Sequence, residues 1–308
     1  MTSVPPPTVN IDRRVQRLSL WLVLSNMAAA VLLTGLLALW IGDSRHAALE
    51  RAQDNVRNVS SVVAQAVQGD IARVDLALQS LVAAYARAPG SGFAADGPTG
   101  IALANLRAAL TEADALLISD AQGVVQLGKP ADMPPVLLND RDFFIAVRDA
   151  PPSTTAPVLS QPWVGRVSRK WVISVARALR NADGSFAGVV HANLSSERFA
   201  RQFATIDLGQ EGAIALRTEQ LALVARITPQ GAATEGLGTS KVSAALKAAL
   251  AANPKSGVYL VRRPDDGAER ASAYQQVEGY PLYVIVGTGT DEFSSGLKLP
   301  AGASAALP

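Results

Sequence analysis

Lys170-Trp171-Val172-Ile173-Ser174-Val175-Ala176-Arg177-Ala178-Leu179 and Phe186-Ala187-Gly188-Val189-Val190-His191-Ala192-Asn193-Leu194, joined by Asn181-Ala182-Asp183-Gly184, decide the fold class of this chain. Both runs are dense in β-branched and apolar residues, and the Asp-Gly pair supplies the positive-φ conformations that a tight hairpin turn needs. Period-2 alternation puts Trp171, Ile173 and Val175 on one face of the first strand and Val172, Ser174 and Ala176 on the other. An antiparallel sheet with two different faces follows.

The segments on either side repeat that grammar. Upstream, Ala102–Ala113 reads as a short helix, Ala115–Ser119 and Gly123–Leu127 as strands around the turn Asp120-Ala121-Gln122, and Asp140–Val147 as a helix. Downstream, Ser195–Thr205 is helical, with Ser195 or Ser196 as cap, Glu197 in the first turn and Phe199/Phe203 at i,i+4. Gly212–Arg217 and Leu221–Ile227 form a strand pair, and Ser243–Ala252 a helix. Gly257–Val261, Ala271–Val277 and Leu282–Gly287 are strands, the first two joined by the turn signal Pro264-Asp265-Asp266-Gly267. The class is α+β, with two antiparallel-sheet modules over residues 102–205 and 206–290.

Before them stands a long helix. Leu49, Ala52, Val56, Val59, Val63, Val67, Ile71, Val74, Leu78, Leu81 and Tyr85 follow at spacings of three and four, and no proline interrupts until Pro89, giving a stalk over residues 42–88. Its far half suits packing on a sheet. Its near half, through Leu49, Val56, Val59 and Val63, suits pairing with a second copy in a homodimer; the other reading packs the whole stripe on its own chain.

Leu18–Ile41 carries no charge, is preceded by Arg13, Arg14 and Arg17, and is followed by Gly42-Asp43-Ser44-Arg45. Such a run spans a ~30 Å hydrocarbon layer at about 1.5 Å per residue. A secretory signal peptide has an apolar run of only about 7–15 residues before a small-residue cleavage site, whereas this one ends in Leu39-Trp40-Ile41. The expectation is a single-pass anchor in the cell membrane, held in the lipid bilayer, with residues 1–17 cytoplasmic and the remainder periplasmic. Residues 291–308, rich in Ala, Gly and Pro, read as an unstructured tail.

Composition narrows the function classes. The 308 residues are 49% hydrophobic and 18% charged, with a net charge of +2, so no basic block points to nucleic acid. With no cysteine there is no disulfide, thiolate metal site or thiol catalysis. Two distant histidines make no metal site, and no nucleophile elbow, zincin motif, P-loop or dinucleotide fingerprint occurs. No enzymatic activity, cofactor or metal is expected in this chain.

The order of parts, with Asp140-Arg141-Asp142-Phe143-Phe144, Arg166-Val167-Ser168-Arg169-Lys170-Trp171-Val172-Ile173, Asp183-Gly184-Ser185-Phe186-Ala187-Gly188-Val189-Val190 and Tyr280-Pro281-Leu282-Tyr283-Val284-Ile285-Val286-Gly287, resembles the double-Cache extracellular sensors at the front of bacterial membrane-bound diguanylate cyclases and sensor histidine kinases. The resemblance covers roughly Arg45 to Thr290 and implies two PAS-like modules on a long helix, the membrane-distal one binding a small ligand. It also implies a second membrane helix leading to an output domain. Asp291–Pro308 contains no stretch able to cross a bilayer.

In amino-acid-sensing members an Arg-x-Trp-Tyr element grips the ligand carboxylate and an aspartate on a later strand holds the ammonium. The resemblance sets Arg141, Phe143 and Phe144 at the first and Asn193 at the second. Asparagine supplies no charge to a buried cation, which argues for an organic acid without an amine. Arg141 offers a bidentate fork to a carboxylate; the alternative is an ion pair with Asp140 or Asp142. Arg166 with Arg169 and Lys170, ahead of Trp171, either rims an anion site or is solvated, and Ser174 is placed to hydrogen-bond into a pocket. His191, alone in an apolar strand, reads as a core residue rather than a pH sensor.

The expectation is therefore a periplasmic signal-transduction input domain that binds a small organic acid or amino-acid-like ligand. Two alternatives stand beside it: the N-terminal part of a diguanylate cyclase or histidine kinase, and a protein-binding adaptor.

Overall fold

The computed structural model describes residues 13–88, 92–207, 209, 211–262 and 269–289. The expected tail, residues 1–12, the turn Pro264-Asp265-Asp266-Gly267 and the side chains of Leu39, Trp40 and Ile41 lie outside this description.

Helix α1 runs without interruption from Arg13 to Arg87. At about 1.5 Å per residue it is roughly 110 Å long. The expected spanning segment and stalk are thus one helix, continuous through Gly42-Asp43-Ser44-Arg45. Gly42, Asp43 and Ser44 are all weak helix formers, and their summed cost of about 2 kcal/mol is outweighed by cooperative propagation from both sides. Leu20–Leu37 is long and apolar enough to cross a membrane, with a mean hydropathy of 2.0 and none of it buried.

The remaining elements are α2 (Pro98–Ala109), β1 (Ala115–Asp120), β2 (Val125–Leu127), α3 (Asp142–Asp149), β3 (Val158–Leu159), β4 (Trp163–Val164), β5 (Trp171–Arg180), β6 (Phe186–Ser195) and α4 (Ser196–Phe203). They continue with β7 (Ala213–Thr218), β8 (Leu223–Thr228), β9 (Gly231–Ala232), α5 (Ala244–Ala252), β10 (Ser256–Arg262), β11 (Glu269–Gln276) and β12 (Leu282–Gly289). Two antiparallel sheets form. The first has the order β2-β1-β6-β5-β3 with β4 also on β5, the second β10-β11-β12-β7-β8-β9. Ser195 caps α4, its hydroxyl accepting from the amide of Arg198 at 3.3 Å. At Gly188 β6 comes so close to β1 that a Cβ would lie 2.0 Å from the carbonyl oxygen of Ser119, so only glycine fits.

One stripe of α1 holds both sheets together. Val56, Val63, Val67, Ile71, Val74, Leu78 and Leu81 are buried in one core with Ile173, Val175, Val190 and Leu194 of the first sheet and Ala271, Ala273, Val284 and Val286 of the second. Seven such side chains contribute on the order of 10–20 kcal/mol of gross burial, an upper bound. This overturns the pairing expected through Val56 and Val63, which are occupied within their own chain. Large exposed apolar residues of α1 beyond the apolar window, Val62 and Leu76, lie on the opposite side.

Candidate functional site

The first sheet has two unlike faces. Ile173, Val175 and Arg177 look toward α1, whereas Val172, Ser174, Ala176 and Ala178 look away from it. Register places Ser174 beside Asn193 and Ala176 beside His191, with Ala115 and Leu117 of β1 on their other flank. The outward face is covered by α3 and by the segment leading into β4, packing Phe143, Phe144, Val147 and Trp163 onto Leu117, Val172 and Ala176.

Asp142 fastens that cover. Its carboxylate accepts from the amide of Phe143 at 2.7 Å and from that of Gln161 at 2.6 Å, joining the first turn of α3 to the segment that carries Trp163. The indole nitrogen of Trp163 donates to the hydroxyl of Ser174 at 3.0 Å, and that hydroxyl donates to Oδ1 of Asn193 at 2.8 Å. Because an indole N–H only donates, the hydroxyl proton of Ser174 is free for Asn193, which fixes the amide with its NH₂ turned away. The Asn193 Nδ2 is buried and has no partner.

Two further groups share that condition. The ring of His191 is fully buried, 4.9 Å from that of Phe143, and neither of its nitrogens has a partner. Burial pushes its pKa down to about 3, so the ring is neutral. The guanidinium of Arg141 lies 4.5 Å over the ring of Trp163, and its buried Nε is also unpartnered. Buried polar groups are normally satisfied. Here Arg141 Nε, both ring nitrogens of His191 and Asn193 Nδ2 lack hydrogen-bond partners, in side chains linked through Phe143, Trp163 and Ser174. A cavity of about 690 Å³ opens beside this cover, lined by Val147, Pro151, Ala176 and Arg177 among others, and none of Arg141, His191 and Asn193 lines it.

Of the residues expected from sequence, Arg141, Phe143, Ser174 and Asn193 are brought together and three are not. Arg166 is engaged by Asp140, with nitrogens 2.9 and 2.6 Å from the two carboxylate oxygens, and also by the carbonyl of Leu137. That bond holds the Asp140 carboxyl below its usual range. Arg141 also forms an ion pair with Asp140, its Nε 3.7 Å from the carboxylate without a hydrogen bond, which is the alternative that the sequence offered for it. Trp171 lies on the opposite strand face, against Gly238 of the loop after β9. Phe144 packs edge-on to Phe186 as a core residue.

Trp163 and His191 also stand in this cluster, where the sequence reading did not place them. His191 was legible, since alternation puts it on the same face as Asn193. Trp163 sits on a two-residue edge strand too short to leave a periodic signal.

A family profile described as a Cache domain, dCache_1, matches residues 44–297. Among solved structures, the extracellular domain of a histidine kinase, rpHK1S-Z16, is 28% identical with a TM-score of 0.68, covering 80% of this chain and 98% of that one. The ligand-binding domain of the Campylobacter jejuni chemoreceptor Tlp3 with L-norvaline has 15% identity and a TM-score of 0.57, covering 80% and 94%. That of the Pseudomonas fluorescens chemoreceptor CtaA with L-isoleucine has 19% identity and 0.57, covering 82% and 98%. No curated protein sequence matches the chain.

Proposed function

This chain belongs to the Cache domain family, and from that premise we propose that it is the ligand-sensing input half of a membrane-anchored signalling receptor, with a small organic carboxylate bound on the outward face of the first sheet. The modules divide near residue 205, the N-terminus is cytoplasmic, and both sheets lie in the periplasm. The likeness to a histidine kinase's extracellular domain favours a kinase as the output.

The observation that carries the ligand is the pair of buried nitrogens without a hydrogen-bond partner, Arg141 Nε and Asn193 Nδ2, in a cluster whose carboxylates are already engaged. Asp140 is taken by Arg166 and Asp142 by two backbone amides. Tlp3 and CtaA, solved with amino acids, support a small organic ligand. The absence of a free anion in this cluster favours acids without an amine.

The test is thermal unfolding of the full chain in detergent micelles with a panel of organic and amino acids. A bound acid at about a hundredfold excess over its Kd raises the melting temperature by roughly 5–10 °C. Arg141→Lys keeps the charge, loses the fork and shrinks the shift, while the exposed Arg201→Lys does not. No shift with any acid, or equal shifts in wild type and Arg141→Lys, removes the assignment.

A further inference from the structure

We infer that the acid bound at this site carries a hydroxyl group beside its carboxylate, read by the imidazole of His191, so that the ligand class is small hydroxy acids. This inference rests on the pocket proposed above and adds the second functional group of its ligand.

The argument begins from what surrounds His191. Its cross-strand neighbours, Leu117 and Ala176, have apolar side chains, and its ring lies against Phe143. The protein therefore supplies neither hydrogen-bond partner. A neutral imidazole has one N–H donor and one lone-pair acceptor. Leaving both unmet in the interior is costly, and an aliphatic side chain of similar size would be more stable there. The arrangement becomes favourable when a ligand serves it.

The chemistry of the other two groups then selects the ligand. The Arg141 guanidinium and the Asn193 NH₂ only donate, so a carboxylate satisfies both and needs no other partner. What remains is the imidazole, which requires from the ligand an acceptor for its N–H, a donor for its lone pair, or both. An ammonium donates but brings a charge that this cluster does not balance. A hydroxyl is uncharged and fills either role. His191 and Asn193 are alternate residues on one strand face, about 7 Å apart along it, a span suited to a compact acid of a few carbons.

The test is calorimetric titration of the full chain in micelles with two matched pairs, lactate against propionate and malate against succinate. The hydroxy member of at least one pair should bind about 10- to 100-fold more tightly than its deoxy partner, the range expected when a buried polar group is left unpaired. His191→Leu should abolish that ratio while keeping the deoxy acid's affinity within about threefold, and the unliganded variant should melt higher than wild type. His191→Gln, which retains a donor and an acceptor, should keep part of the ratio, and it decides the matter should the leucine variant fail to fold. Equal binding within both pairs by wild type, with all four acids weakened by Arg141→Lys, overturns the hydroxyl reading and leaves the pocket standing. A ratio unchanged in both His191 variants also overturns it, and absence of binding by all four acids removes the pocket and the hydroxyl together.

Discussion

Arg177 on β5 holds Asp75 on α1 in a two-nitrogen ion pair, one nitrogen 2.8 Å from the carboxylate, with both side chains largely buried. The strand that floors the candidate site is thus clamped, from its other face, to the helix that carries the apolar window. Ala176, the next residue, is the cross-strand neighbour of His191.

Breaking this pair by Asp75→Ala leaves a mostly buried guanidinium without its anion and should cost about 3 kcal/mol in urea unfolding. The double variant Asp75→Ala with Arg177→Ala should recover part of that loss, because no orphaned charge remains. Strictly additive losses would mean that the two side chains do not interact in solution.

The two sides of α1 should respond differently to truncation. Ile71→Ala opens a cavity in the shared core and should cost about 2–5 kcal/mol, whereas Leu76→Ala, 65% exposed, should stay within about 0.5 kcal/mol. A large, concentration-dependent loss at Leu76 would show that a second copy covers that face.

The buried His191 gives stability a predictable slope with pH. Its ring titrates near 3 in the folded chain and near 6.5 when solvated, so between those values the unfolded chain binds a proton that the folded chain does not. Stability from this group is complete above pH 6.5 and falls as the pH is lowered toward 3, by up to about 1.4 kcal/mol per unit. The unfolding free-energy difference between wild type and His191→Leu should follow that slope. A difference constant from pH 4 to 7 would place the ring in contact with solvent.

Trp163→Phe removes the donor that occupies the Ser174 oxygen. Ser174 can then accept from Asn193 instead, letting the amide turn its oxygen outward and spoil the donor set. Acid binding should weaken by about tenfold with stability lowered by only about 1 kcal/mol. Unchanged affinity would show that the orientation of Asn193 does not matter to the ligand.

For topology, an alkaline phosphatase fused after Thr290 should be active and a fluorescent protein that folds only in the cytoplasm should be dark, as the three arginines before Leu18 require. The opposite pattern would reverse the proposed orientation.

The sheet elements were legible wherever one physical signal dominated. Asn181-Ala182-Asp183-Gly184 and the flanking β-branched runs located β5 and β6 to within a residue, and the capping serine Ser195 located the start of α4. The α1 stripe was equally plain, but its partner was not. Val56 at a helical spacing fits a second copy or a sheet equally well, and only the three-dimensional closure of β11 and β12 onto α1 decides between them. In the candidate site, the adjacency of Ser174 and Asn193 rests on strand parity and the placing of Arg141 on resemblance. Arg166, read as either rimming an anion site or solvated, is paired with Asp140, 26 residues away on another loop, a contact no local pattern signals. Trp171 stands on the strand face opposite Ser174, a separation that strand parity alone carries.

An unbroken α1 sets the mechanical gain between site and bilayer. Ile71, in the shared core, and Leu37, at the end of the apolar window, are about 50 Å apart along one axis. No proline lies between them to act as a universal joint. A tilt of about 5° at the upper end sweeps roughly 4 Å at the lower, and an axial slide or rotation arrives undiminished. Rearrangements too small to reshape the sheets are therefore levered into displacements comparable to the radius of a helix.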